Sequence, residues 1–121
     1  MDKVGFFKHE GKSILIVDLS DSPGAATTIA ILASAREQID IQPPKSLLLL
    51  TNVTNTHYDS DGADALKAYT KANTLFIKAS AAVGVVGIKL VLFKAIIKLT
   101  GRHILAAGSV EAGLDWLAAQ E

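Results

Sequence analysis

Apolar residues along the chain come in short blocks separated by longer, mixed stretches. Ser13 to Leu19 (SILIVDL) is an apolar run of strand length, rich in β-branched residues. Val4 to His9 reads as a short edge strand before it, with Glu10, Gly11 and Lys12 as the turn. Asp18, Ser20, Asp21 and Ser22 close the second run, and Pro23 stands where proline suits the first turn of a helix. Ala25 to Gln38 predicts that helix, with abundant alanine and with Ile29, Leu32, Ala33 and Arg36 at three- and four-residue spacing. Pro43 and Pro44 force an extended approach to the next block. Leu47 to Val53 (LLLLTNV) shows no alternation, the mark of a central strand buried on both faces.

A polar loop, Thr54 to Asp59, follows. Ser60, Asp61 and Asp64 then sit where a helix N-terminus favours acceptors and negative charge. This helix runs to about Ala72, with Ala65, Leu66 and Tyr69 turned inward. Leu75 to Val83 is a fourth strand. Gly84 and Gly87 open a third helix, about Val85 to Leu99, which Gly101 ends. His103 to Ala107 is a last short strand. Ser109 caps a terminal helix with an apolar side of Val110, Leu114 and Leu117, flanked by Trp116. Strands alternating with helices require crossover connections, so the chain predicts one α/β domain over residues 1–121 with a mainly parallel sheet.

Composition narrows the function classes. Half of the residues are apolar and 20% charged, enough for a packed core. Twelve basic residues balance twelve acidic ones, so no nucleic-acid partner is expected from counterion release. With no cysteine, disulfides, zinc–thiolate sites, iron–sulfur clusters and a cysteine nucleophile are excluded. His9, His57 and His103 have no metal-ligand spacing among themselves or with a carboxylate, so no metal and no cofactor is expected. Met1 to Glu10 lacks the apolar segment of a signal peptide, and Lys78, Lys89, Lys94 and Lys98 interrupt the most apolar stretch, Thr74 to Leu99. The expectation is a cytoplasmic protein.

Three places carry candidate chemistry. The third helix is apolar over more than half of its circumference, with Lys94 and Lys98 on a narrow polar side beside Val91. A helix on one sheet face needs a stripe of about 100° or somewhat more. The excess, centred on Leu92, Phe93, Ile96 and Ile97, is expected to meet a second copy of the chain or another protein. A hydrophobic ligand, a membrane surface, or cover by the N-terminal strand and terminal helix are the alternatives. The turn Gly84-Val85-Val86-Gly87-Ile88-Lys89 has two readings: a cradle for an anion or ligand with Lys89 supplying charge, or glycines that allow close packing. Its spacing matches neither a P-loop nor GxGxxG. The loop His57-Tyr58-Asp59 has acid–base potential, with Asp18 and Asp21 expected at the same sheet edge. No nucleophile, base and orienting group assemble from it, so the chain is not expected to be an enzyme.

Several stretches carry a resemblance: PPKSLLLLTNVT (Pro43 to Thr54), ALKAY (Ala65 to Tyr69), KASAAVGVVGIK (Lys78 to Lys89), LTGRHI (Leu99 to Ile104) and SVEAGLDWL (Ser109 to Leu117). In these the sequence resembles small bacterial proteins grouped as SpoIIAA-like, and more broadly the STAS domain of anti-sigma factor antagonists, a group also likened to CRAL-TRIO lipid-transfer domains. The resemblance implies a STAS/SpoIIAA-like domain with about five strands and four helices. It implies a non-enzymatic regulatory or protein-interaction module, dimeric through the third helix, or alternatively a carrier of a hydrophobic small molecule or lipid. The antagonist family's phosphate-accepting serine lies in a D-S-x-G setting, which here reads Asp59-Ser60-Asp61-Gly62. Ser60 then takes the acceptor position in a switch loop formed by His57, Tyr58, Asp59, Asp61 and Gly62. Asp61 replaces the family's usual second hydroxyl residue, and Ala63 and Asp64 replace its apolar ones. Without a kinase, Asp59 or Ser60 serves as the helix cap.

Overall fold

The computed structural model describes residues 3–57 and 59–120, so Tyr58 of the expected switch loop lies outside the described residues. Five strands form one sheet in the order β1-β2-β3-β4-β5: β1 Val4–His9, β2 Lys12–Asp18, β3 Leu47–Asn52, β4 Ile77–Val83 and β5 Ile104–Ala107. β1 pairs antiparallel with β2, and the other three pairings are parallel. The helices are α1 Ala25–Ile39, α2 Ser60–Asn73, α3 Ile88–Thr100 and α4 Val110–Ala118. The sheet is therefore mixed but mostly parallel, as the alternating pattern predicts.

Connection handedness sets the layers. Parallel strands lie side by side in chain order from β2 to β5, and right-handed crossovers put each connecting helix on the same face. α1, α2 and α3 accordingly share one core with Leu15, Val17, Leu47 and Leu49. α4 follows the last strand without this constraint and covers the other face, where Leu114 and Leu117 pack on Ile14, Leu48 and Leu50. The four consecutive leucines thus serve both cores alternately, at 3%, 5%, 2% and 0% exposure. Gly113 lets α4 approach closely, since a Cβ there would lie 2.7 Å from Leu50 Cδ1.

The structure corrects details of the sequence reading. On α1 the buried positions are Thr28, Ile31, Leu32, Ala35 and Ile39, so Ile29 and Ala33 face outward and Leu32 alone of the expected set is buried. β4 starts at Ile77 because Thr74–Phe76 continue from α2 as a 3₁₀ turn. α3 starts at Ile88 rather than Val85. Gly84 (φ +86°) and Gly87 (φ +61°) take left-handed backbone, which no right-handed helix can include.

Candidate functional site

At the C-terminal edge of the sheet, the expected switch and acid–base residues act mainly as loop braces. Asp59 is the N-cap of α2, its carboxylate accepting from Gly62 N–H at 2.9 Å. Ser60 and Asp61 are exposed on the first turn beside it, and Gly62 is buried. His57 is exposed, and its backbone N–H donates to Ser22 O at 3.1 Å. Asp21 accepts from Asn55 Nδ2 at 2.8 Å, and Asp18 accepts from the backbone N–H and hydroxyl of Ser20 with Lys3 nearby. Burial pushes the Asp18 pKa up, but the Ser20 hydrogen bonds and the Lys3 charge outweigh it and hold the carboxyl below its usual value. The described His and Asp side chains here do not converge on one point as catalytic groups would.

The glycine turn before α3 has a packing role. A Cβ on Gly84 would lie 2.6 Å from Thr54 Cα, so the β4–α3 turn rests directly on the β3–α2 loop. Lys89, set on the first turn of α3, reaches back and donates to Val53 O at 2.8 Å. It stands at one end of a partly open cavity of about 70 Å³ lined by α2, α3 and strands β3 to β5. The walls are mostly apolar: Leu49, Val85, Leu92, Phe93, Ile96 and Ile104 among them.

The other end of the cavity is polar. Arg102, in the link between α3 and β5, turns its guanidinium inward and half-buries it. Nη1 donates to Thr70 O at 3.1 Å and to Asn73 Oδ1 at 2.6 Å, and Nη2 donates to Ser80 Oγ at 2.8 Å. The charge therefore joins the end of α2 to the middle of β4. Among the described residues no carboxylate pairs with it. Burial pulls its pKa below the ordinary arginine value, with the nearby Tyr69 opposing. Tyr69 and Asn73 sit one helical turn apart on α2, 5% and 0% exposed. Their Oη and Nδ2 atoms are buried and make no well-formed hydrogen bond to other groups, but lie near enough for the Asn73 amide to interact with the Tyr69 hydroxyl. Desolvation pushes the Tyr69 hydroxyl well above the usual phenol value, more than Arg102 pulls it down, so it remains an O–H donor. Arg102 has no acceptor to offer, so Oδ1 of Asn73 must face it and the amide N–H₂ is the group left for the Tyr69 hydroxyl.

Comparison with known proteins bears on the fold. No family model matches the chain, and no curated protein matches it. A solved structure does, with a TM-score of 0.75, 11% identity, and coverage of 94% of this chain and 91% of the other. It is an uncharacterized protein from the DUF3478 family with a SpoIIAA-like fold, from Shewanella loihica PV-4. The fold is SpoIIAA-like. At that identity the likeness speaks for architecture alone.

Within the SpoIIAA-like domain, the residues expected to form a contact surface on α3 are turned inward. Leu92, Phe93 and Ile96 line the cavity, and Ile97 is half-buried. The open side of α3 is instead Ile88, Val91 and Leu99, at 85%, 69% and 52% exposure, preceded by Val86 at 67%. The apolar arc was legible, but which part of it faces the sheet depends on where Gly87 lets the helix begin. Arg102 was missed because its partners come from α2 and β4, far away in sequence. A signal was present in α2: Leu66, Tyr69, Thr70 and Asn73 share one inward stripe, and three of the four are polar at core spacing. The fold also brings His9, Glu10 and Asp115 within 4.8 Å of one another, which no spacing could show. His9 Nε2 pairs with Asp115 Oδ1 at 2.7 Å, and Lys12 donates to Gln120 O at 2.6 Å; together they latch the β1–β2 hairpin to α4. Among the described residues no helix is long and apolar enough to cross a membrane.

Proposed function

We propose that this chain is a non-enzymatic binding domain that senses a small amphiphilic molecule held beneath α3. The observation that carries the reading is the cavity itself, apolar along its walls and polar at one end, under a helix that buries one residue, Ile96. Ligand pockets combine these features: an apolar lining and a few placed polar groups. Among the described residues neither His, Asp nor Glu lines it, which favours binding over acid–base catalysis. Its size selects the ligand class. Pockets for drug-sized molecules run to about 300–1,000 Å³, and a 70 Å³ cavity with α3 in place admits a molecule of only a few heavy atoms. That favours a small sensed molecule over a carried lipid. Titration with 1-butanol, followed by methyl NMR, tests the reading. Saturable shifts confined to Leu92, Ile96 and Ile104 are expected; no localised shift would overturn it.

A second reading rests on the open side of α3. Ile88, Val91 and Leu99 leave an apolar strip in solvent that a second copy of the chain would cover in a regulatory dimer. Sedimentation of the wild-type chain against Val91→Asp checks it. A two-chain mass reduced to one by the substitution supports the dimer, and a single-chain mass for both removes it.

A further inference from the structure

The polar end of the cavity specifies what the bound molecule must carry. Arg102 is the donor there that a bound molecule can meet; the Tyr69 hydroxyl and the Asn73 amide N–H₂ lie buried beside each other, closed off from it. Of the five N–H donors of a guanidinium, three are used on Thr70, Asn73 and Ser80, leaving two. The positive charge has no carboxylate partner among the described residues. A half-buried cation with no counter-charge and two N–H groups to spare is unfavourable, and one anionic acceptor group relieves both. Resting on the reading above, we infer that the cavity binds a short-chain carboxylate, its anionic group held by Arg102 and its tail against Leu92, Phe93 and Ile96.

Charge and size select this class. Arg102 supplies one positive charge, which matches a monoanion, whereas a phosphate dianion would leave charge uncompensated. Lys89 carries a second positive charge at the opposite end, where one of its three N–H groups is given to Val53 O, so it does not share an anion held at Arg102. A planar carboxylate has four lone-pair sites for parallel N–H donors, which suits a guanidinium with two N–H groups to spare. Water could satisfy the donors but would leave the charge unmatched and the apolar walls without contacts.

Two isosteric probes, butanoate and butanamide, test the inference on the intact wild-type chain, with 1-butanol as the control for the cavity. Calorimetry or NMR titration should find butanoate binding roughly tenfold or more tighter than butanamide, the ratio expected of a charge-assisted contact. Its shifts should include Tyr69, Asn73 and Ser80. Arg102→Gln should abolish the preference; a purely structural arginine would not set selectivity between two isosteres. Equal binding of butanoate and butanamide would overturn the carboxylate and leave the cavity reading intact. Binding of 1-butanol with neither isostere would do the same. Failure of all three probes would overturn both.

Discussion

Two glycines separated by Val85 and Val86 show how a backbone angle and a neighbour's distance divide one role. Gly84 and Gly87 both have positive φ, but a Cβ on Gly84 meets Thr54 backbone at 2.6 Å while one on Gly87 meets open space. Gly87→Ala should therefore cost about 1–3 kcal/mol, the backbone strain of φ +61° with ψ −133° alone. Gly84→Ala adds a clash against backbone that cannot rotate away, and should cost about 2–4 kcal/mol. Urea unfolding of the pair checks the difference; equal midpoints would mean that the Thr54 contact is not tight. Asp18 gives a pH counterpart. Its folded pKa is held below the unfolded value of about 3.9. Its contribution is then fully present above that value and lost as pH falls through the folded pKa. Asp18→Asn should lower stability at pH 7 and flatten the loss between about pH 4 and the acid transition. An acid limb identical to wild type would remove Asp18 from the account.

Elements differ in how much of them could be read in advance. The Leu47–Leu50 run announced a central strand because both faces of β3 are covered, so alternation is lost. The caps of α2 and α4 were legible because Asp59 and Ser109 act within three residues of themselves. The register of α3 was not, because the turn before it is set by contact with Thr54, a residue 30 positions away. Nor was the polar end of the cavity, which needs α2, β4 and the link into β5 to meet. Burial also ranks the helices by stability. α1 buries five residues, and α3 buries Ile96 alone. Local opening follows such differences. Hydrogen exchange of the intact chain should find α3 amides exchanging well before those of α1 and β3, and butanoate should slow α3 selectively. Protection of α3 equal to that of α1 would mean that the helix does not open over the cavity.

At the scale of the whole molecule, stability and binding draw on the same space. A cavity is a packing deficit, and filling one commonly adds about 0.5–2 kcal/mol. Ala82 is the place to do it. It lines the cavity floor on β4, on the same face as Ser80 and opposite the face on which Ala81 and Val83 pack with α4. Valine suits a strand, and two extra methyl groups occupy much of a 70 Å³ space. Ala82→Val should therefore raise the unfolding midpoint while abolishing binding of 1-butanol and butanoate alike. A domain kept for its packing alone gains nothing from leaving that volume empty; a domain kept for a ligand loses its function when it is filled. A more stable variant that still binds both probes would place the ligand elsewhere on the molecule. A less stable one would mean that α3 lies closer to β4 than a valine side chain allows.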